Sequence, residues 1–493
     1  MFLKDAKDKK QKPVWAESFV NCANPLIIRL PVRNLLLPIS CLFLLLLLSF
    51  GCSQKEDPQP PNIVLIIVDD LGSADLGCYG STDIQTPNID RLAANGVIFT
   101  QAYSGNTVCA PARSTLMTGQ HMGHTPVRGN TGGIPLPDEA FTMAELFKQQ
   151  GYATGGFGKW GLGEIGTVGV PEKQGFDRFF GYYHQIHAHN YYPEYLYENS
   201  QRVPLPAKEN DPQSYTQYRI VDEMKSFIRN YKDQPFFCYA PWTVPHGQYV
   251  IPNSDPAVKL YEAKDWDEKR KNYAAMTTLF DRQVGEVVQL LEELDIQENT
   301  LVIFCSDNGG VQEFADYQTN GELRGFKRDL YEGGIRIPLI AYWPGEIGSG
   351  TKVETPVYFP DFLPTFASII GMTSNELPEN IDGVSFAPLL YNPTELLGDR
   401  ILYWEYPHYD WSEGTYREDQ FKQAVRYLQW KLVRVGKDNP WEVYDLIHDP
   451  GETDNVAAYH PGKRQKLTEW VEENRTAMPP QIEPERVDGK AYR

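Results

Sequence analysis

Cysteine is scarce, with seven in 493 residues, at spacings that match neither a metal ribbon nor a dense disulfide framework. Positive charge is also in deficit. Lysine and arginine number 46 against 65 aspartates and glutamates, a formal charge of −19. That balance excludes general nucleic-acid binding but leaves room for a local basic pocket that takes an anion. There is no internal repeat at a fixed period and no long low-complexity tract, so repeat architectures fall away. No apolar run reaches the ~20 residues of a membrane-spanning helix; the longest, Leu35 to Phe50, has 16.

That run reads as an export signal. A basic flank ending at Arg33, a short greasy core and the close Ser49-Phe50-Gly51-Cys52 resemble a relaxed bacterial lipoprotein box. Cys52 would then carry lipid, anchoring the protein to a membrane of the cell envelope, periplasm or outer membrane. Residues 1–52 are accordingly an extension with its signal, and "SQKEDPQPP" (53–61) is a solvated linker. Beyond it remain Cys78, Cys109, Cys238 and Cys305. Cys238 in "PFFCYA" and Cys305 in "LVIFCSD" lie in apolar strand-like runs and read as small buried hydrophobes. Cys109 has no such surroundings.

What is present is enough apolar material for a sizeable core, 41% hydrophobic with 13% aromatic. "NIVLIIVDDLG" (62–72) is a continuous β-branched run ending in two aspartates, as in parallel strands covered on both faces. "TLVIFCSDNGG" (300–310) repeats the design. Between them, Phe141 to Gln149 and Lys269 to Leu294 read as helices; in the second, Met276, Phe280, Val284, Val287, Val288 and Leu291 form one stripe. Strands alternating with helices predict an α/β, doubly wound sheet with helices on both faces over 62–397. From 398 to 493, "ILYWEY", "QAVRYLQWKLVRV" and "WEVYDL" read as strands and "KLTEWVEEN" as a helix, a smaller antiparallel sheet packed with one helix.

In such sheets ligands gather beyond the carboxyl ends of the strands. Asp69, Asp70, Asp307 and Asn308 fall there, and their oxygens suit a hard cation, Ca²⁺ in preference to Mg²⁺. The bland alternative is that each pair caps its own turn. "NTVCAPARSTLMTG" (106–119) places Cys109 ahead of a helix whose first residue is read as Pro111 and whose end is Gly119. Arg113 lies one turn on, so the helix start offers an anion site. A bare cysteine there would have a depressed pKa, yet a thiolate beside a hard oxygen-ligated metal is a poor match.

These residues carry a family resemblance. "CAPAR" fits the C-x-P-x-R signature of the formylglycine-dependent sulfatases, of alkaline phosphatase-like fold, and "GKWGLG", "PHG", "CSDNGG", "GFKRDLYEGGIRIP" and "YDLIHDPGETDNV" resemble their other blocks in the same order, over roughly residues 61 to 475. The resemblance implies that a sulfatase-maturing enzyme oxidises Cys109 to formylglycine, which then belongs both to the catalytic set and to the metal set. It implies that Asp69, Asp70, Asp307 and Asn308 bind Ca²⁺, that Arg113 holds the formylglycine hydrate, that Lys159 and Lys327 bind sulfate oxygens, and that His246 serves the leaving-group oxygen as general acid. Taken singly, Lys159 and Lys327 would read as surface lysines and His246 as a loop histidine.

One block departs from the family: Gly161 stands where many relatives have histidine. The segment "YYHQIHAHNYYPEYLY" (182–197) offers His187 or His189 as replacements, or else is an aromatic loop packed over a sheet edge. "GQHMGHTPVRGN" offers His124 and Arg128 as a second rim that meets substrate. Tyrosine faces suit sugars, so a sulfated carbohydrate, galactose-type or a glycosaminoglycan or polysaccharide fragment, is the expected substrate. The competing readings are a phosphate mono- or diesterase of the same superfamily, a glycan-binding lipoprotein without catalysis, and thiol chemistry at unmodified Cys109.

Overall fold

The computed structural model describes residues 59–410 and 412–482; the signal, its Cys52 and most of the linker lie outside them. The first of two sheets is built from β1 (Asn62–Val68), β2 (Val97–Tyr103), β3 (Ala153–Lys159), β4 (Arg178–Tyr182), β5 (Tyr195–Glu198), β6 (Gln201–Pro204), β7 (Phe236–Pro241), β8 (Thr300–Ser306), β9 (Arg336–Tyr342), β10 (Thr351–Val353) and β11 (Val357–Tyr358). Its order is β10-β2-β9-β8-β1-β7-β3-β4-β5-β6, with β11 paired to β2. The centre, β8-β1-β7-β3-β4, is parallel; β9 joins it antiparallel on one side and β5 on the other. The sheet is thus mixed, with helices on both faces.

The alternation of β1 explains its unbroken apolar run. Val64, Ile66 and Val68 enter one core with Phe227 and Phe280 from the helices Thr216–Tyr231 and Glu268–Glu293. Ile63, Leu65 and Ile67 enter the opposite core with Phe147 and Phe366 from Met143–Gln149 and Phe362–Ile369. Both faces are therefore dry, and each large-to-alanine change here costs about 2–5 kcal/mol. Cys238 and Cys305 are buried and unpaired in these layers, the role their surroundings predicted.

The second sheet is antiparallel, β12 (Ile401–Asp410), β13 (Thr415–Tyr427), β14 (Trp430–Val435) and β15 (Glu442–Asp445) in that order, with Leu467 and Val471 of the helix Pro461–Glu473 packed on it. Its first hairpin is longer than the apolar pattern predicted. Beyond a register shift between Tyr406 and His408, pairing resumes as His408↔Arg417, Tyr409↔Tyr416 and Asp410↔Thr415. These polar residues lack the alternation that marks a half-buried strand, and backbone pairing carries them outward instead.

The register of the central strands decides where chemistry can happen. Val68 lies opposite Ser306, so Asp69 and Asp70 leave β1 beside Asp307 and Asn308 leaving β8. The neighbouring β7 runs out towards His246, and β3 ends on Lys159. Four adjacent strands deliver their next residues to one edge.

Candidate active site

Cys109 is the first residue of the helix Cys109–Thr118, two positions earlier than the Pro111 start expected from sequence. The approach to the helix is stapled by Asn106, whose Oδ1 accepts the N–H groups of Thr107 (2.7 Å) and Val108 (3.2 Å). These bonds fix the turn before Pro111 can contribute its preset φ. Gly119 closes the helix at φ 68°, a conformation that suits glycine. Every residue of the helix is buried, which aims Cys109 inward at the strand ends.

There its Sγ lies 3.3 Å from Asp69 Oδ1 and 3.7 Å from Lys327 Nζ. Lys159 Nζ donates to Asp69 Oδ2 at 2.6 Å, and Lys327 Nζ is 2.6 Å from Asp70 Oδ1. Arg113 reaches Asp307 Oδ2 at 2.9 Å and the Lys159 carbonyl at 2.6 Å. Asn308 Nδ2 donates to Asp70 Oδ1 at 2.9 Å, and His246 Nε2 stands 3.4 Å from Asp70 Oδ2. All nine expected residues therefore meet at one place. Asp70 is held at φ 66°, off the regular strand path, a cost tolerated where the side chain must turn to a shared centre.

Burial shapes the titration of the set. It would raise Asp69, but Lys159, His246, Arg113 and Lys327 outweigh it and hold the carboxyl well below its usual range. Asp307 is pushed up to about 6 by burial and by Asp69. His246 is held neutral by burial and by Lys327. Cys109 departs from expectation: burial and Asp69 push its thiol up to about 12, overriding the helix start and the lysines. An unmodified thiol here is protonated and a poor nucleophile.

The site also fits a cation. Ligand atoms of Asp69, Asp70, Cys109 and His246 lie within 4.8 Å of one another, and Asn308 Oδ1 is buried without a hydrogen-bond partner. An orphaned amide oxygen beside crowded carboxylates is the donor set of a hard, oxygen-liking ion. His121, His124 and Asp382 also converge within 4.8 Å. However, His121 Nδ1 accepts the Gly123 N–H at 2.9 Å, so its Nε2 must carry the proton, and ligation would demand an imidazolate.

The remaining expectations divide. His189 stacks on His246 with ring centroids 4.4 Å apart, and burial with the nearby His246 and Lys159 lowers its pKa to about 2. His187 packs instead against Tyr182 and Tyr195. From the same segment, the Tyr191 hydroxyl donates to the carbonyl of His246 at 2.8 Å, so the loop also braces the site. The two expected rim residues differ in their surroundings. Arg128 is fully buried, donating to Gly123, Thr125, Glu405 and Thr476, and His124 is bound to Asp382 at 2.9 Å. Both residues tie the loop to the rest of the fold, but only Arg128 is covered by the C-terminal layer, through Glu405 and Thr476, whereas the His124 side chain stays 31% exposed.

Residues 61–372 match the family Sulfatase, and residues 321–477 match N-sulphoglucosamine sulphohydrolase, C-terminal. The chain belongs to the sulfatase family. This sulfatase is 32% identical over 468 residues to arylsulfatase A of Homo sapiens, covering 84% of this chain and 86% of the relative. It is 29% identical to N-acetylgalactosamine-6-O-sulfatase of Bacteroides thetaiotaomicron, over 86% of this chain and 96% of that one. The structure of Ps i-CgsB in complex with k-i-k-neocarrahexaose matches with a TM-score of 0.74 and 28% identity, over 86% of this chain and 95% of that chain. Alkaline phosphatase-like sulfatase architecture thus accounts for both sheets.

At Gly161 the sulfatase reveals a residue that sequence reasoning missed. A β-carbon there would come within 3.0 Å of Gln185 Nε2. Gln185 Nε2 in turn donates to Asn130 Oδ1 at 3.2 Å, and that oxygen accepts the N–H of Ala110, next to Cys109. The space beside Gly161 is filled by a neutral amide linked to the start of the Cys109–Thr118 helix. No motif marks such a pairing, 24 residues apart in sequence and brought together by the β3–β4 register, Lys159↔Tyr182, and by the Gly161 N–H donating to the Tyr183 carbonyl at 2.9 Å.

Proposed function

We propose that this sulfatase hydrolyses sulfate esters on a sulfated carbohydrate, with formylglycine made from Cys109 and Ca²⁺ held by Asp69, Asp70, Asp307 and Asn308. The observation that carries the reading is the set of three cations, Arg113 and Lys159 buried and Lys327 part-buried, converging with four oxygen donors on Cys109. When present, Ca²⁺ supplies Lewis-acid polarisation of sulfate oxygens and formylglycine supplies hydroxyls where the thiol stands.

The chain's own groups supply the rest. Lys159 and Lys327 can turn from their carboxylates to an incoming sulfate, placing two fixed charges where negative charge accumulates. Arg113, held between Asp307 and the Lys159 carbonyl, keeps residue 109 in register with both. His246 is neutral before substrate arrives; an anion beside it offsets the lysines and raises its proton affinity, so substrate binding itself prepares the proton for the leaving oxygen. The sugar class rests on what related proteins are named for, an N-acetylgalactosamine-6-O-sulfatase and a complex with k-i-k-neocarrahexaose, and on the tyrosines of the 182–197 loop. Export with a lipid anchor at Cys52 belongs to the same reading and rests on the N-terminal pattern.

Mass spectrometry of the peptide spanning Cys109 in active enzyme tests it. A mass below that of the cysteine peptide is expected; an unmodified cysteine in fully active protein would refute the reading. Turnover of an aryl phosphate exceeding that of the matching aryl sulfate would favour the phosphoesterase alternative.

A further inference from the structure

Arg328 follows Lys327 and adopts φ 78°, the left-handed region that a long, non-glycine side chain occupies at a cost. The conformation is imposed from both sides. Its N–H donates to Thr107, at 2.8 Å to Oγ1 and 3.2 Å to the carbonyl, two residues before Cys109. Its carbonyl accepts Lys422 Nζ of β13 at 2.8 Å. Lys422 also pairs with Asp329 at 2.8 Å, which uses the nearest carboxylate.

The guanidinium itself is exposed and, among the described residues, has no hydrogen bond or ion pair. In a chain of net charge −19, an arginine left without a carboxylate beside the sulfate-binding lysine is conspicuous. Its segment is joined to the extended hairpin, since Lys422, which holds the Arg328 carbonyl, is the cross-strand partner of Tyr406. Tyr406 feels both Arg328 and Lys327, and His408, packed edge-on to Tyr406 at 6.0 Å, is kept neutral by burial, Lys422 and Arg328. A guanidinium fork, a phenol and a neutral imidazole beside Lys327 form a set for a planar or tetrahedral oxyanion and its neighbouring hydroxyls.

Resting on the sulfatase reading above, we propose that Arg328, with Tyr406 and His408, binds a second acidic group of the glycan, making this enzyme selective for multiply charged sugars. The group is an oxyanion, either another sulfate or a uronic carboxylate. The strain at Arg328 is the signature of that role, since glycine would satisfy the backbone better but could not reach an anion.

The test compares kcat/KM for three singly sulfated probes, an aryl sulfate, a neutral disaccharide and a disaccharide bearing a uronic acid, with that for a disulfated disaccharide, in wild-type protein and in Arg328→Gly. Wild type is expected to favour the doubly charged sugars at least tenfold over the neutral one, and Arg328→Gly to bring that ratio towards one with a melting temperature equal to or above wild type. Preference for the disulfated sugar or for the uronic one identifies the oxyanion. A wild-type ratio near one, or an equal loss on every probe in the variant, overturns the inference. Wild type that cleaves none of the sulfates overturns instead the functional reading on which it rests.

Discussion

Gly161 and Gln185 illustrate how a single position is rebuilt by its neighbour. With φ 79° and a β-carbon approach of 3.0 Å to the Gln185 amide, restoring histidine at 161 strains the backbone and expels the glutamine. Gly161→His is expected to cost roughly 1–3 kcal/mol and to lower sulfate-ester turnover, while Gly161→His with Gln185→Ala recovers part of both. Melting temperature and kcat/KM on one aryl sulfate measure the ordering; a double variant worse than the single one would show that Gln185 is not what fills the space. Arg128 makes the complementary point. Its side chain is 0% exposed and pairs with Glu405, also 0% exposed, so Arg128→Ala leaves a buried carboxylate with one partner fewer. A loss of roughly 3 kcal/mol is expected with an unchanged KM, because Glu405 keeps Arg475 at 3.0 Å and no substrate group is removed. A raised KM with unchanged stability would return Arg128 to the rim.

The segment 324–335, which carries Lys327 and Arg328, is held from the second sheet. Glu452 Oε2 accepts the Glu332 N–H at 2.6 Å, its carbonyl accepts Arg324 at 2.8 Å, and Lys431 Nζ sits 2.9 Å from Glu332 and 3.0 Å from Glu452. Two buried carboxylates thus share one buried ammonium. Burial, with Glu332 adding to it, pushes Glu452 from 4.5 up to about 7, whereas Lys431 and two arginines outweigh burial at Glu332 and hold it down to about 2. A carboxyl raised in the folded state binds more protons folded than unfolded, so its contribution is lost as pH rises from about 4.5 to about 7. The lowered Glu332 acts in the other direction and below that window, losing its contribution as pH falls from 4.5 towards 2. Glu452→Gln keeps a carbonyl oxygen for the Glu332 N–H and removes the titration. The wild-type melting temperature is expected to fall relative to Glu452→Gln across pH 4.5–7, by the equivalent of up to about 3 kcal/mol at 1.36 kcal/mol per pKa unit. Parallel curves would mean that Glu452 is ionised throughout.

For the whole molecule, three buried aspartates on one sheet edge make the fold depend on what neutralises them. Saturating Ca²⁺ at about a hundred times its Kd is expected to add about 2.7 kcal/mol, a rise of roughly 3 °C for a fold of this length, reversed by chelation and smaller with Mg²⁺. A melting temperature indifferent to both ions would refute the cation site. The architecture behind this was largely legible. Residues 62–70 and 300–308 announced two buried strands ending in acids because parallel strands have no polar face to interrupt their pattern. That Cys109, Arg113, Lys159, His246 and Lys327 come together was legible through ordered motifs. What sequence concealed depends on register and on layers meeting. Gln185 reaches Gly161 through strand pairing, Glu332 and Glu452 meet across 120 residues, and the polar half of the β12–β13 hairpin has no apolar periodicity to betray it.

Cys109 is 2% exposed at the base of this assembly, under a helix buried along its whole length. No second enzyme can reach it there. If Cys109 is converted to formylglycine as proposed, that conversion belongs to the nascent chain and folding acts as its deadline: protein that has already closed around a thiol would be passed over, however much maturing enzyme is later supplied.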